Sequence, residues 1–424
     1  MKPMKLECKF CKSKDVEKVI DLAWQPIANN LLTNEQLSQN EPYYPLEAFF
    51  CNDCSLLQLL HNISPDEMFK QYFYVTSQTN IFNKHFEEYA KTIFKKMKLN
   101  KNKLVVEIGS NIGTLLKKLQ ILGAQTLGVD PATNIVQLAE AQGVKTICDY
   151  FTKRVAEEIV KEKGKAKVII CNNTFSQVYD WDELMHAVNI LLDERGIFVI
   201  EVPYLADLLA NLEFDTIYHE HHGYFAINPF TVFAKRFGME VFDAERKSVH
   251  GGSIRVFIRK YLSSNSKIKE SVNEMAMLEQ KLALNKSNTY KEFNSKIQII
   301  KEKLMALLHS LKKQNKRIIG YGAPAKATVL TNYCGIDARI IDYIVDKNPL
   351  KQGKYIPGVR IPIVSEEKFH QDTPHYAIVF AWNFFSEIFK KEEDFRKKDG
   401  KFIIPLPEPK IIERADDIEI KFIY

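Results

Sequence analysis

The sequence predicts an α/β protein: a doubly wound, mostly parallel sheet, with a cysteine-rich module before it and a second, smaller α/β unit after it. Three observations carry this. Two Cys-x-x-Cys pairs, "CKFC" and "CNDC", stand within the first 54 residues. From about residue 80, strand-like and helix-like runs alternate strictly, a pattern that right-handed crossovers turn into a parallel sheet. The alternation then gives way to a lysine- and glutamate-rich stretch and resumes at "RIIGYGAPAKATVLTNYCG".

The totals set the outer bounds. At 424 residues the chain is too long for one core, and 46% apolar with 26% charged residues is ordinary for a globular protein. No run approaches the roughly 18 apolar residues of a membrane span. The opening "MKPMKLECKFC" lacks the apolar core of a secretory signal, so a cytoplasmic protein without a membrane partner is expected. The net charge of +6 is spread over "KTIFKKMKLNKNK", "IVKEKGKAKV" and "LKKQNKR", each beside an apolar segment. That reads as solvated surface and not as a nucleic-acid face, and it is compatible with an anionic small substrate. No signal fixes an oligomeric state; a monomer is compatible.

In chain order, Cys8, Cys11, Cys51 and Cys54 can supply four thiolates to a tetrahedral Zn²⁺, a closed and therefore structural site. A disulfide pair is the rival, which a cytoplasmic setting disfavours. "NKHFEEYAKTIFKKM" has helical spacing. "KLVVEIGS" is a β-branched strand ending in glycine before the helical "TLLKKLQILG". There follow "QTLGVD", "ATNIVQLAEAQG", "VKTIC", "TKRVAEEIVKEKG", "AKVIICNN", "WDELMHAVNILLD" and "GIFVIEVP", alternately strand and helix, with "GMEVFDAE" and "GSIRVFIRK" as edge strands. Two connecting helices fill 265–313. The expected domains are 1–72 (zinc), 73–262 (central sheet), 263–313 (connecting helices) and 314–424 (second α/β unit).

The turn "VVEIGSNIGTLL" places Gly109 and Gly113 between a buried strand and a helix, where small residues let a ligand approach the backbone. Its spacing lacks the G-x-G-x-x-G that a nicotinamide cofactor usually requires. Glu107 precedes the turn, Asp130 ends the next strand, and Asp149 ends the third beside Tyr150. Acids at three successive strand ends, with no cradle for a pyrophosphate, point to S-adenosylmethionine: hydroxyls and a cationic tail, but no phosphate.

The other dense signal is "FDTIYHEHHGYF", about twenty residues beyond "GIFVIEVP", where the chain leaves the sheet's ligand-bearing edge. Read as extended, it sends His219 and His221 to one side and Glu220 and His222 to the other. Four convergent metal ligands are then not expected, and proton abstraction by a neutral histidine fits better.

Taken in order, the paired cysteines, "QPIAN", "YFYVTS", "VEIGSNIGTLL", "EVPY…FDTIYHEHHGYF", "HGGSIRVF" and "GYGAPAKATVLTNYCGI" resemble the sugar-nucleotide C-methyltransferases of deoxysugar biosynthesis, over essentially the whole chain. The resemblance implies a zinc domain, a Rossmann-like class I methyltransferase domain and a C-terminal Rossmann-like domain. It implies methylation of a carbon next to the ketone of a nucleotide-linked keto-deoxysugar. His221 is then the general base, Tyr218 and Glu220 its partners, and Tyr74 a tyrosine of the same pocket with Tyr72 beside it. His250 falls in the "HGGS" turn, Lys326 meets the diphosphate, and Asn173 lies on the cofactor side. Two departures stand out: Gln177 replaces a family histidine and Pro324 a small hydroxyl residue. A sugar O-methyltransferase and a non-catalytic zinc-containing binding protein are the rival readings.

Overall fold

The structure, a computed structural model, describes residues 5–61, 63, 68, 80–261 and 267–413. Tyr72 and Tyr74 lie outside the described residues.

The N-terminal module begins with three antiparallel strands, β1 (Val16–Gln25), β2 (Tyr44–Cys51) and β3 (Leu57–Leu59). The central unit contributes β4 (Leu104–Ile108), β5 (Gln125–Val129), β6 (Thr146–Ile147), β7 (Ala166–Asn172) and β8 (Leu192–Pro203). All are parallel, and β4 is buried along its whole length, as expected for a sheet covered on both faces. Two helices begin where side chains cap them: the Thr152 hydroxyl accepts from Val155 N–H, and Asp180 accepts from Glu183 N–H.

The next strand, β9 (Gly223–Tyr224), leaves the central unit and pairs with β3, closing the N-terminal sheet in the order β1-β2-β3-β9. The two expected edge strands form as β10 (Met239–Lys247) and β11 (Ser253–Lys260), antiparallel, giving a seven-stranded order β10-β11-β8-β7-β4-β5-β6. The stretch read as connecting helices folds into Glu270–Lys281 and Ser287–Lys313. The second of these does more than connect. It covers the N-terminal sheet, where Asn294 Oδ1 accepts from Asp21 N–H at 3.0 Å and the Tyr290 ring meets Phe50 at 4.9 Å.

The C-terminal unit holds β12 (Ile318–Tyr321), β13 (Ile344–Val345), β14 (Ile363–Val364), β15 (Tyr376–Val379), β16 (Lys401–Ile404) and β17 (Lys410–Ile412). Their order is β14-β13-β12-β15-β16-β17, parallel except for β17. The N-terminal module touches both α/β units. Phe10 of the first knuckle is wholly buried, stacked 4.0 Å from Phe233 and edge-on to Trp181 at 4.9 Å. On the other side Thr328 Oγ1 donates to Ala28 O at 2.8 Å, and Leu32 pairs with Tyr355. No helix among the described residues is long and apolar enough to cross a membrane.

Candidate active site and zinc module

The two knuckles are built alike. Cys8 N–H donates to Ser13 O and Lys12 N–H to Cys8 O; Cys51 N–H donates to Leu56 O and Ser55 N–H to Cys51 O. The residue after each second cysteine, Lys12 or Ser55, takes a left-handed backbone (φ 66° and 64°). Both turns thereby aim their sulfurs at one point. The Cys8–Cys54 and Cys11–Cys51 Sγ pairs lie 3.5 Å apart, and all four sulfurs fall within 4.8 Å of one another. A disulfide would need about 2.05 Å. A tetrahedron with Zn–S of about 2.3 Å has edges of about 3.8 Å, which these spacings fit. The four thiolates would hold a structural Zn²⁺, with no ligand position left for substrate.

At the carboxyl ends of β4, β5 and β7 the structure brings together Glu107, Gly109, Asp130 and Asn173. Glu107 is buried; Oε1 accepts from Asn172 Nδ2 at 3.2 Å, while Oε2 meets no donor. Burial pushes its carboxyl up to about 8. Asp130 Oδ2 accepts from Asn111 N–H at 2.9 Å and Oδ1 from Ala132 N–H at 3.0 Å, which fixes the carboxylate and leaves further lone pairs for hydroxyls. A buried, unpaired carboxylate oxygen beside an oriented acid fits a ligand with a cationic tail and a ribose. S-adenosylmethionine has both.

The glycines also answer to the protein around them. Both have left-handed backbones (φ 65° and 76°). A Cβ on Gly109 would lie 2.1 Å from Thr174 Oγ1, and one on Gly113 2.7 Å from Val144 Cγ1. They admit neighbouring protein and let the turn close. Asp149 is partly exposed, pairs with Arg154 and accepts from Tyr150 N–H at 2.7 Å. Tyr150 itself is half exposed.

The histidine segment is compact, not extended. His221 N–H donates to Tyr218 O at 2.8 Å, closing a turn, so the expected alternation of faces does not occur. The four side chains still diverge, each toward a different neighbour. His219 Nε2 faces Pro45 O at 3.3 Å, and burial holds its pKa down at about 4. Glu220 Oε1 accepts from Asn29 N–H at 3.3 Å, Oε2 meets no donor, and burial pushes the carboxyl up to about 7. His221 Nδ1 lies 3.0 Å from Thr216 O, a carbonyl that can only accept, and its ring packs 4.0 Å from Tyr218. His222 is buried and kept neutral; its N–H donates to Ser176 O at 2.7 Å and its carbonyl accepts from Leu59 N–H at 3.0 Å. The segment is thus pinned to the loop after β7 on one side and to the zinc module on the other.

Gln177, where a histidine was expected, ends the short turn Phe175–Gln177. His250 belongs to the turn Val249–Gly251, and its side chain lies outside the described part. The two glycines after it have a clear cause. A Cβ at Gly251 would meet Glu213 Oε1 at 2.6 Å, and one at Gly252 would meet Asp207 Oδ2 at 2.2 Å. Lys326 stands 4.0 Å over the Trp382 ring, with the buried acids Glu213 and Asp215 facing its charge.

Sequence reasoning missed a polar chain beside Glu107. Glu201 accepts from Arg255 Nε and pairs with His85 Nε2, both at 2.7 Å; Arg255 lies 3.4 Å over the Tyr89 ring, and Tyr89 OH donates to Asn172 Oδ1 at 3.1 Å. Arg255 and His85 together pull the Glu201 carboxyl down to about 2 despite its burial. The signal was present: a glutamate inside the apolar "FVIEV" and an arginine inside "SIRVF" are direct cross-strand partners.

This frame and these two sites define a zinc-containing, S-adenosylmethionine-dependent methyltransferase. Family profiles agree, matching "Putative zinc binding domain" at 8–69, "Methyltransferase domain" at 82–244 and "C-methyltransferase C-terminal domain" at 248–407. The chain is 36% identical over 406 residues to C-methyltransferase NovU of Streptomyces niveus, covering 96% of each. It belongs to this C-methyltransferase family. Among solved structures it is similar to the magnesium protoporphyrin IX methyltransferase of Synechocystis PCC 6803 with bound SAH (13% identity, 45% of this chain, 91% of that one, TM-score 0.35). It is also similar to the PH0226 protein of Pyrococcus horikoshii OT3 (12%, 47%, 100%, TM-score 0.36). Neither likeness carries an argument beyond that.

Proposed function

We propose that the chain methylates the carbon alpha to the ketone of a nucleotide-linked keto-deoxysugar, with His221 as general base. The observation that carries this is the contact between His221 Nδ1 and Thr216 O. A carbonyl accepts only from a protonated nitrogen, so the neutral ring keeps its proton on Nδ1 and its lone pair on Nε2, the form a base requires. The substrate class rests on the sequence motifs and on the resemblance they carry.

The residues around the base suit an enolate. Glu220, its carboxyl raised to about 7, can hold a proton and offer a hydrogen bond where a fixed anion would repel developing charge. Tyr218, packed at a tilt against the imidazole, and Tyr224, whose buried hydroxyl meets no acceptor and whose pKa burial pushes well up, add donors and no negative charge. The bound cofactor supplies an electrophilic methyl group on a sulfonium. The protein's part is to make a carbanion and hold it in line.

His221→Ala is expected to lower kcat by at least about a hundredfold, with S-adenosylmethionine affinity by calorimetry unchanged. Wild type should also exchange the alpha hydrogen of a keto-sugar nucleotide with deuterium from solvent in the absence of methyl donor. Full methylation by His221→Ala rejects the base. Methylation at oxygen, with no exchange, favours the O-methyltransferase reading instead.

A further inference from the structure

We infer that Trp382, on the C-terminal unit, and Asp215 are positioning residues that fix the tautomer and orientation of His221. This rests on the reading of His221 as the base.

The argument follows a continuous line of contacts. Trp382 opens the short turn Trp382–Phe384, close after β15. Its indole Nε1–H donates to Asp215 Oδ2 at 2.8 Å, in a wholly buried contact between residues 167 positions apart. Asp215 lies within the turn Phe214–Thr216. The last carbonyl of that turn, Thr216 O, is the acceptor that faces His221 Nδ1. The C-terminal unit grips the same turn at a second point, where the Tyr333 ring packs 5.2 Å from Phe214. Lys326 Nζ lies 4.0 Å over the indole ring.

Geometry gives these contacts a task. An imidazole has two neutral tautomers of similar energy, and the neighbouring acceptor chooses between them. If the turn tilts, Thr216 O leaves Nδ1, the ring populates the Nε2–H form, and the nitrogen that should take a proton carries one. Asp215 is also a costly residue for mere filling. A wholly buried carboxylate is held by the charge of Lys326 and the indole N–H, with its own N–H and the Thr216 hydroxyl nearby, where an apolar side chain would pack at least as stably. The C-terminal unit thereby reaches the base through the backbone, two contacts removed.

Trp382→Phe keeps the ring under Lys326 and deletes the N–H. The expected result is a roughly tenfold lower kcat, the size of effect one lost hydrogen bond produces, with KM for S-adenosylmethionine unchanged. In ¹⁵N-histidine NMR of the full chain, one ring, identified by its absence in His221→Ala, should move from an Nδ1–H pattern toward Nε2–H. Asp215→Asn retains an acceptor for the indole and should retain the Nδ1–H pattern, while Asp215→Ala should lose it. Unchanged NMR in Trp382→Phe overturns the positioning, whatever happens to turnover. A shifted tautomer with full turnover upholds the positioning and sinks the reading of His221 as base.

Discussion

The two doubly wound units share one backbone frame and differ in what they hang on it. In the first, Gly109 N–H donates to Val129 O at 2.8 Å, and Asp130 accepts from the N–H groups of Asn111 and Ala132. In the second, Gly322 N–H donates to Val345 O at 2.7 Å, and Asp346 accepts from those of Ala323 and Asn348, both at 2.8 Å. The match is close, differing in that the donor to the aspartate stands two residues after Gly109 and one after Gly322. Yet Glu107 has Gly320 as its counterpart, and the space a side chain would need there is taken by Ile344 and Phe380. Lys351 further closes the second turn, donating to Ala323 O at 2.7 Å beside Asp346. One frame leaves a carboxylate oxygen unpaired; the other satisfies itself. The carboxylate at the strand end is what distinguishes the two frames.

The harshest way to break the contrast is Gly320→Glu, which recreates the missing acid. Its Cβ would lie 2.6 Å from Ile344 Cγ1, with a charge following into an apolar core. A loss of more than about 4 kcal/mol in urea unfolding is expected; near-normal stability would mean the second frame could have carried the acid after all. Glu107→Gln sharpens the contrast from the other side. It should weaken S-adenosylmethionine binding by about 1.5–3 kcal/mol, read by calorimetry, while the apo protein folds normally. The same variant has a pH signature. A carboxyl raised to about 8 binds its proton more tightly folded than unfolded, so its contribution is present at low pH and is lost as pH rises through that value. Glu213, at about 8, and Glu220, at about 7, act in the same sense, whereas the buried His219 and His222 oppose them only below about 6.5. Apo stability should thus fall between about pH 6.5 and 8.5, and Glu107→Gln should remove about 1–2 kcal/mol of that fall. The mildest change is Lys351→Met, expected to cost about 1 kcal/mol and to leave methyl-donor affinity within twofold.

Much of this was legible in the sequence because the signals are local. Four cysteines in two knuckles, a β-branched run ending in "EIGS", and an acid after "QTLGV" each speak within a few residues. What stayed hidden depends on chain segments that meet only after folding. The pairing of β3 with β9 joins Leu57 to Tyr224, and no local pattern marks either end. The roles of Gly251 and Gly252 depend on Glu213 and Asp207 lying beneath them. Asp149 is read as a ligand-facing acid from its place after a strand; its pairing with Arg154, five residues on, is not marked by that local pattern. The histidine segment reads as extended because it carries no helical spacing; a single backbone hydrogen bond from His221 N–H to Tyr218 O makes it a turn.

The pairing of β3 with β9 also bears on how the enzyme matures. The residue that closes the histidine segment, His222, is held by Leu59 of the cysteine sheet and by Ser176 of the methyl-donor unit. An ion at the four thiolates would perform no chemistry, yet it would secure the sheet to which one side of the histidine segment is pinned. Copies assembled during metal scarcity would not be sluggish catalysts; they would be missing ones, and a preparation's output would count loaded molecules instead of grading them.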